Sequence, residues 1–286
     1  MTDCDSQRLD NLVLSVVMPV RDDAPSVRVM TRILSVMIEV PCEIIVVYDD
    51  PDDTTIPVVK ALAAKYPVLK GVLNSRGRGV LNAVASGVDV ARGKYVLIYA
   101  ADEIGPVLAI EPMLRLMEDG CDLVSATRYT AGGRRYGGSL LGHVLSYTAN
   151  RLFCLFTATA LSDCTTGMKM FRRELFYRLK LSDQGTGWSF AFAMAIEAQL
   201  LDLRLGEVSV VSIDRLFGGQ STFRPLPWIL SYSRWFVYGM RRLPPWHRPR
   251  PKLAFPTLAS THPLSFPPLT LDFVTPGSRP PLSAKQ

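Results

Sequence analysis

Cysteine is scarce and unpatterned in this 286-residue chain: Cys4, Cys42, Cys121, Cys154 and Cys164 form no CxxC pair and have no histidine at zinc spacing. An odd, scattered set excludes a disulfide framework and a zinc module, and reads as reduced thiols. The opening MTDCDSQRLDN lacks the basic start and apolar stretch of a secretion signal, so a cytoplasmic protein is expected. A basic run in the body is missing too. The formal charge is +6, yet from Pro244 onward Arg248, Arg250, Lys252, Arg279 and Lys285 face Asp272 alone; five against one leaves +4 on the tail and +2 on the body. Without basic residues interleaved with aromatics, nucleic acid is not an expected partner.

Nearly half the chain is apolar (48%), enough for one α/β domain with appended segments. LVLSVVM (12–18) and EIIVVY (43–48) are short β-branched runs, as in strands buried on both faces of a parallel sheet. Between them Val27, Met30, Leu34, Met37 and Ile38 recur at helical spacing. The pattern repeats: Thr54 and Thr55 are capping candidates for a helix with Pro57 in its first turn, running to about Tyr66. Strands are expected at 68–73, 95–99 and 122–126, and helices around 79–91 and near 108–118. Such alternation predicts a mostly parallel sheet with helices on both faces, whose ligands bind at the carboxyl ends of the strands. Asp23, Asp49, Asp50 and Asp102 all fall on that edge.

Three segments there carry candidate chemistry. YDDPDDTT (48–55) offers carboxylates to a ribose or a base edge, or simply caps the next helix. SRGRGVLNAVASG (75–87) allows close backbone approach at Gly77 and Gly79 beside Arg76 and Arg78, suited to an anionic diphosphate or to a solvated basic turn. It is neither a Walker loop, lacking GK[ST], nor a dinucleotide fingerprint, since it follows the third strand. In YAADEIGP (99–106), Asp102 and Glu103 suit a hard cation such as Mg²⁺, although acids at strand ends are common without any metal.

Two further segments are amphipathic. Residues 139–161 are strongly apolar, but His143, Tyr147, Asn150, Arg151 and Cys154 interrupt the roughly 20 apolar residues that a membrane span needs. PWILSYSRWFVYGMRRL (227–243) mixes Trp228, Tyr232, Trp235 and Tyr238 with Arg234, Arg241 and Arg242, as do helices at a bilayer surface; packing against the sheet is the alternative. The last 43 residues hold eleven prolines and read as a disordered tail.

Taken in order, these segments resemble glycosyltransferase family 2, in its dolichyl-phosphate or polyprenyl-phosphate sugar synthase branch, from about Leu14 to Leu243. SVVMPVRDD (15–23) stands at the family's first strand and base-recognition acid. EIIVVYDDPDDTT is similar to its strand followed by DDGSxDGT. Downstream, ATRYTAGG (126–133) resembles GSRYxxGG, SYTAN (146–150) lies on the family's interfacial helix, DCTTGMKMFRREL (163–175) resembles DxTSGFRxxRREL, and DRLFGGQSTF (214–223) resembles DRxxGxSKF. The resemblance implies a GT-A fold, an α/β Rossmann-like, mostly parallel mixed sheet over 12–226. An extension would precede it (1–11), and an amphipathic interfacial helix (227–243) and a Pro-rich tail (244–286) would follow.

It further implies transfer of a hexose, with inversion, from a GDP- or UDP-sugar to a polyprenyl phosphate at the cytoplasmic face of a membrane. Pro19, Asp23, Asp49, Arg76, Gly77, Arg78, Gly79 and Asp102 would bind the nucleotide. Arg128 and Arg215, helped by Ser146 and Ser221, would hold the phosphates, and Asp102, Arg128 and Arg215 would carry the chemistry. Asp102 and Glu103 would ligate Mg²⁺ or Mn²⁺. Two departures qualify this. Ala100 and Ile104 replace usual oxygen donors of the family's DAD segment, and Ser189 replaces an acid often found after its GF pair. Alternatives are a transferase with a soluble or polysaccharide acceptor and a non-catalytic sugar-nucleotide binder.

Overall fold

The computed structural model describes residues 12–137, 140–181, 187–213, 225–245 and 252–256. The chain begins with β1 (Leu14–Val20), α1 (Ala24–Met37), β2 (Cys42–Tyr48), α2 (Ile56–Ala63), β3 (Leu69–Leu73), α3 (Val80–Val90) and β4 (Tyr95–Ile98). A 3-10 turn (Gly105–Ala109) then leads into α4 (Ile110–Glu118), β5 (Leu123–Thr127) and β6 (Arg134–Tyr136). The second half holds α5 (Leu140–Phe156), β7 (Lys169–Arg172), α6 (Phe190–Leu200), β8 (Leu205–Ser209), β9 (Val211–Ile213), α7 (Pro225–Arg242) and β10 (Leu253–Ala254).

Eight strands form one sheet in the order β10-β8-β5-β7-β4-β1-β2-β3, and β6 pairs with β9 in a second. All pairs in the large sheet are parallel except those made by β7, which runs antiparallel between β4 and β5. The mostly parallel sheet expected from the sequence is therefore mixed, as the family resemblance implies.

Alternation along the strands divides the core. Leu14, Val16, Met18, Ile44 and Val46 face α1, α2 and α4, whereas Val17, Ile45, Val47, Val96 and Ile98 face α3 and α6. At roughly 25 cal/mol per Å² of apolar surface, these two buried layers are the main stabilising term. In α1 the apolar stripe buries Val27, Met30 and Leu34, but Met37 is 44% exposed because the helix ends as the stripe drifts off the sheet. Thr55 sits at the start of α2 without capping it; its hydroxyl accepts instead from the Asp23 amide at 3.0 Å.

α6 is buried on every side, and α5 and α7 close over it. Phe153 of α5 makes edge contacts with Phe192 of α6 (4.7 Å) and Phe236 of α7 (5.4 Å). A Cβ at Gly239 would meet the Phe153 ring at 2.5 Å, so glycine is what lets the helices touch. Trp235 is 8% exposed and turns into this core, so the sequence-based placement of that ring at a bilayer surface is corrected. Within the expected tail, Leu253–Ala254 forms an edge strand beside β8.

Candidate functional site

The strand order reverses between β1 and β4, which opens a crevice at their carboxyl ends. Loops after β1 and β2 interlock there. Asp53, 4% exposed, accepts from the amides of Asp22 (3.0 Å) and Thr55 (2.7 Å), while Asp22 accepts from the amide and hydroxyl of Thr54, both at 3.1 Å. These bonds hold the Asp22 carboxyl below its ordinary range. Asp23 accepts from the Ser26 amide at 3.3 Å, and Pro19 lies in β1.

Asp49 acts as a clasp. Its Oδ1 accepts from Asn74 Nδ2 at 2.7 Å and its Oδ2 from the Gly79 amide at 3.1 Å, so it fixes the loop that starts α3. Gly77 (φ 90°) and Gly79 (φ 137°) adopt backbone conformations that L side chains rarely reach. Each oxygen of Asp49 retains a second lone pair for a ribose or base donor. Arg78 Nη2 bridges to Asp50 at 2.5 Å across the two loops. Arg76 points elsewhere, pairing with Asp89 at 2.8 Å and lying over the Tyr177 ring. Asn74 was not singled out from sequence, although it directly precedes SRGRG.

At the end of β4, the Tyr99 hydroxyl donates to the Glu103 carbonyl at 2.7 Å and fixes the turn bearing Asp102 and Glu103. Burial drives the Tyr99 phenol upward, and both neighbouring carboxylates add to the shift. Gly105 follows where a Cβ would lie 1.9 Å from the Val211 carbonyl, so β9 packs directly behind this turn. Among the described residues no three histidine, cysteine or acidic side chains converge as a metal cluster.

The third part of the site exists because β7 runs backwards. Its first residue lies at the carboxyl edge of its neighbours, so the loop before it delivers Asp163 and Thr165 to that edge. Asp163, with no exposed surface, accepts from Arg128 Nε (2.7 Å) and Nη2 (3.0 Å), a two-point fork. Nη2 also reaches Thr165 Oγ1 (3.0 Å) and Ser146 Oγ (3.4 Å). Asn150 completes the group, donating to Thr165 Oγ1 at 2.9 Å and accepting from the Cys164 amide at 2.8 Å. Burial opposes both charges, yet each partner overrides it: Arg128 is pushed up and Asp163 down. No described residue hydrogen-bonds Arg128 Nη1. Arg215 and Ser221 lie outside the described residues.

Beneath this pocket three polar side chains form a row across β7, β5 and β8. Lys169 and Glu207 are each in register with Ser125. Lys169 Nζ donates to Ser125 Oγ at 2.8 Å, and Glu207 Oε1 accepts from the amides of Ser162 (2.7 Å) and Asp163 (3.3 Å). Glu207 Oε2 is buried without a hydrogen-bond partner among the described residues. Ser189, where the family often has an acid, is buried and bonded to Ser231 of α7 at 2.7 Å.

A mixed, mostly parallel sheet with acids at its switch point, beside a buried arginine–aspartate cluster, defines the class: a GT-A fold. The model of glycosyl transferase family 2 matches residues 15–180, and the chain belongs to that family. It is similar to a dolichol-phosphate mannosyltransferase of Pyrococcus furiosus, 29% identical over 42% of this chain but only 34% of that protein. It is also similar to a dolichyl-phosphate beta-glucosyltransferase of Dictyostelium discoideum (25% identical; 71% of this chain and 67% of the relative). A dodecaprenyl-phosphate galacturonate synthase of Rhizobium johnstonii is 25% identical, over 82% of this chain and 70% of its own. Among solved structures, a mannosyltransferase of Pyrobaculum calidifontis in complex with GDP-Man and Mn²⁺ superposes with a TM-score of 0.58 (17% identity; 83% of this chain, 67% of that one). Glucosyl-3-phosphoglycerate synthase of Mycobacterium tuberculosis, in complex with Mn²⁺, UDP and glucosyl-3-phosphoglycerate, gives 0.56 (18% identity; 82% and 80%). These structural likenesses carry the fold; the family makes the chain a glycosyltransferase.

Proposed function

We propose that the chain transfers a hexose from a GDP- or UDP-sugar to a polyprenyl phosphate at the cytoplasmic face of a membrane, inverting the anomeric carbon. One observation carries this reading: α5 brings Ser146 and Asn150 to Arg128 while Leu140, Leu141, Val144, Leu155 and Phe156 on the same helix remain exposed. An anchor for a phosphate and a surface for its lipid tail thus share one helix.

In this reading Asp49 and the loop it clasps receive the nucleoside, and Arg128 offers Nη1 to the acceptor phosphate. That phosphate is already anionic at neutral pH, so positioning and electrostatics replace a strong base. The buried Ser189 in place of an acid is compatible with such chemistry. Asp102 and Glu103 supply hard oxygen donors, which fit Mg²⁺ or Mn²⁺ when diphosphate oxygens complete the shell. Such a cation would neutralise charge on the leaving diphosphate.

No helix of the described residues is long and apolar enough to cross a membrane, so contact through α5 and α7 would be peripheral. Flotation with anionic vesicles, joined to a transfer assay using a short polyprenyl phosphate and labelled GDP- or UDP-sugars, tests the proposal. Flotation with lipid-linked product supports it. Transfer to a soluble phosphate ester without flotation would sink the lipid acceptor and leave the glycosyltransferase.

A further inference from the structure

Arg128 and Asp163 are locked as a two-point ion pair, and a pair of that kind presents no net charge to an arriving anion. Recognition of a phosphate at Arg128, the reading on which this inference rests, gains from positive charge beyond that pair, and the sequence offers Arg215 for it outside the described residues. Lys169 stands in the neighbouring polar row, bonded to Ser125, whose other cross-strand partner Glu207 holds the Asp163 amide. Lys169 has no exposed surface, a costly position for an ammonium. Among the described residues its one hydrogen bond runs to Ser125, out of three that an ammonium can donate. The groups acting on its charge are Cys164, Asp163 and Glu207, which favour it, and Arg128, which opposes it. In turn Lys169 helps keep Asp163 ionised. Two basic groups, Arg128 and Lys169, thus stand among two acids, Asp163 and Glu207, the latter raised above its ordinary range by its own burial.

We propose that Lys169 is a positioning residue for the acceptor anchor: by offsetting Asp163 from behind, it leaves the positive charge of Arg128 available to an incoming phosphate. Its ammonium is displaced by burial to about 8, so the device weakens just above neutral pH. Glu207 serves the same end twice. It holds the Ser162–Asp163 peptide, and its charge favours protonated Lys169.

The test is equilibrium dialysis with labelled sulfate, a dianion of constant charge between pH 6 and pH 9.5. Wild type should lose affinity as pH rises through about 8. K169M should bind about tenfold more weakly at pH 7 and lack that alkaline loss, the size expected of an ion–ion term at several ångströms. E207Q, which keeps an acceptor for the Ser162 amide, should shift the loss to lower pH and gives a second readout that leaves Lys169 in place. Undiminished sulfate binding by K169M, or an unmoved midpoint in E207Q, overturns the proposal. R128A separates the two levels. If it abolishes binding while K169M does not, only the role of Lys169 falls; if R128A binds normally, the phosphate anchor falls with it.

Discussion

Asp163 and Arg128 are 35 positions apart in the chain, and each is the other's main reason for staying charged inside the protein. Removing one partner of a buried pair commonly costs about 3 kcal/mol, because the other charge is left in a poor solvent. Asp163→Asn is therefore expected to lower unfolding stability by about that amount in urea titrations. It should also raise the acceptor KM far more than the donor KM, and equal effects on both would contradict the division of the site. Lys169 makes a pH-dependent statement of the opposite sign. Its value falls from 10.5 to about 8 on folding, so its burial penalty is fully present below pH 8 and relieved as pH rises towards 10.5. The stability advantage of K169M over wild type should thus be largest at pH 7 and shrink by pH 10, measured by denaturant unfolding at both. Asp102→Ala should abolish the Mn²⁺-dependent part of donor-induced thermal stabilisation; full activity in that variant would remove the cation from the mechanism.

Among the elements, α5 and α7 each have an exposed apolar face and a buried one. Seven large apolar side chains of α5 and five of α7 are exposed, while Phe153 and Trp235 of the same helices are buried against α6. Replacing Leu140 and Leu141 together by Glu is expected to abolish vesicle flotation and to change stability by no more than about 0.5 kcal/mol, as for other exposed positions. Gly239→Val should act inversely, forcing α7 off Phe153 and costing about 2 kcal/mol of stability by overpacking. This scale also explains what could be read in advance. The continuous apolar runs of β1, β2 and β4 announce themselves, as do the periodic α1 and α4. α6 is apolar all round and carries no helical period, and β7 hides because KMFR opens on a lysine. The acids at strand ends were legible from position alone. The pocket around Arg128 was legible only through resemblance, since Asp163, Thr165 and Ser146 reach it through tertiary contacts that no local pattern encodes.

At the scale of the whole molecule, one half of the sheet, β3-β2-β1-β4, carries the loops proposed for the nucleotide, and the other, β7-β5-β8-β10, carries the cluster around Arg128. A donor that binds only the folded chain stabilises it by about 2.7 kcal/mol at a hundred times its Kd. GDP- and UDP-sugars with Mn²⁺ should therefore raise the midpoint of thermal unfolding, and the larger shift identifies the base. Failure of every sugar nucleotide to shift it would contradict the placement of the donor crevice.

The backward strand β7 also governs the order in which the molecule can be made. β4 and β5 are neighbours along the chain, yet they never pair; β7, synthesised more than forty positions after β5, lies between them. The strands on the nucleotide side can zip together from consecutive βαβ units as they emerge. The two halves remain unjoined until Lys169–Arg172 inserts, a long-range closure that is slow by its loop entropy. The strand that seals the sheet follows directly on the loop that carries Asp163 and Thr165, so the cluster around Arg128 is expected among the last features to take shape during folding.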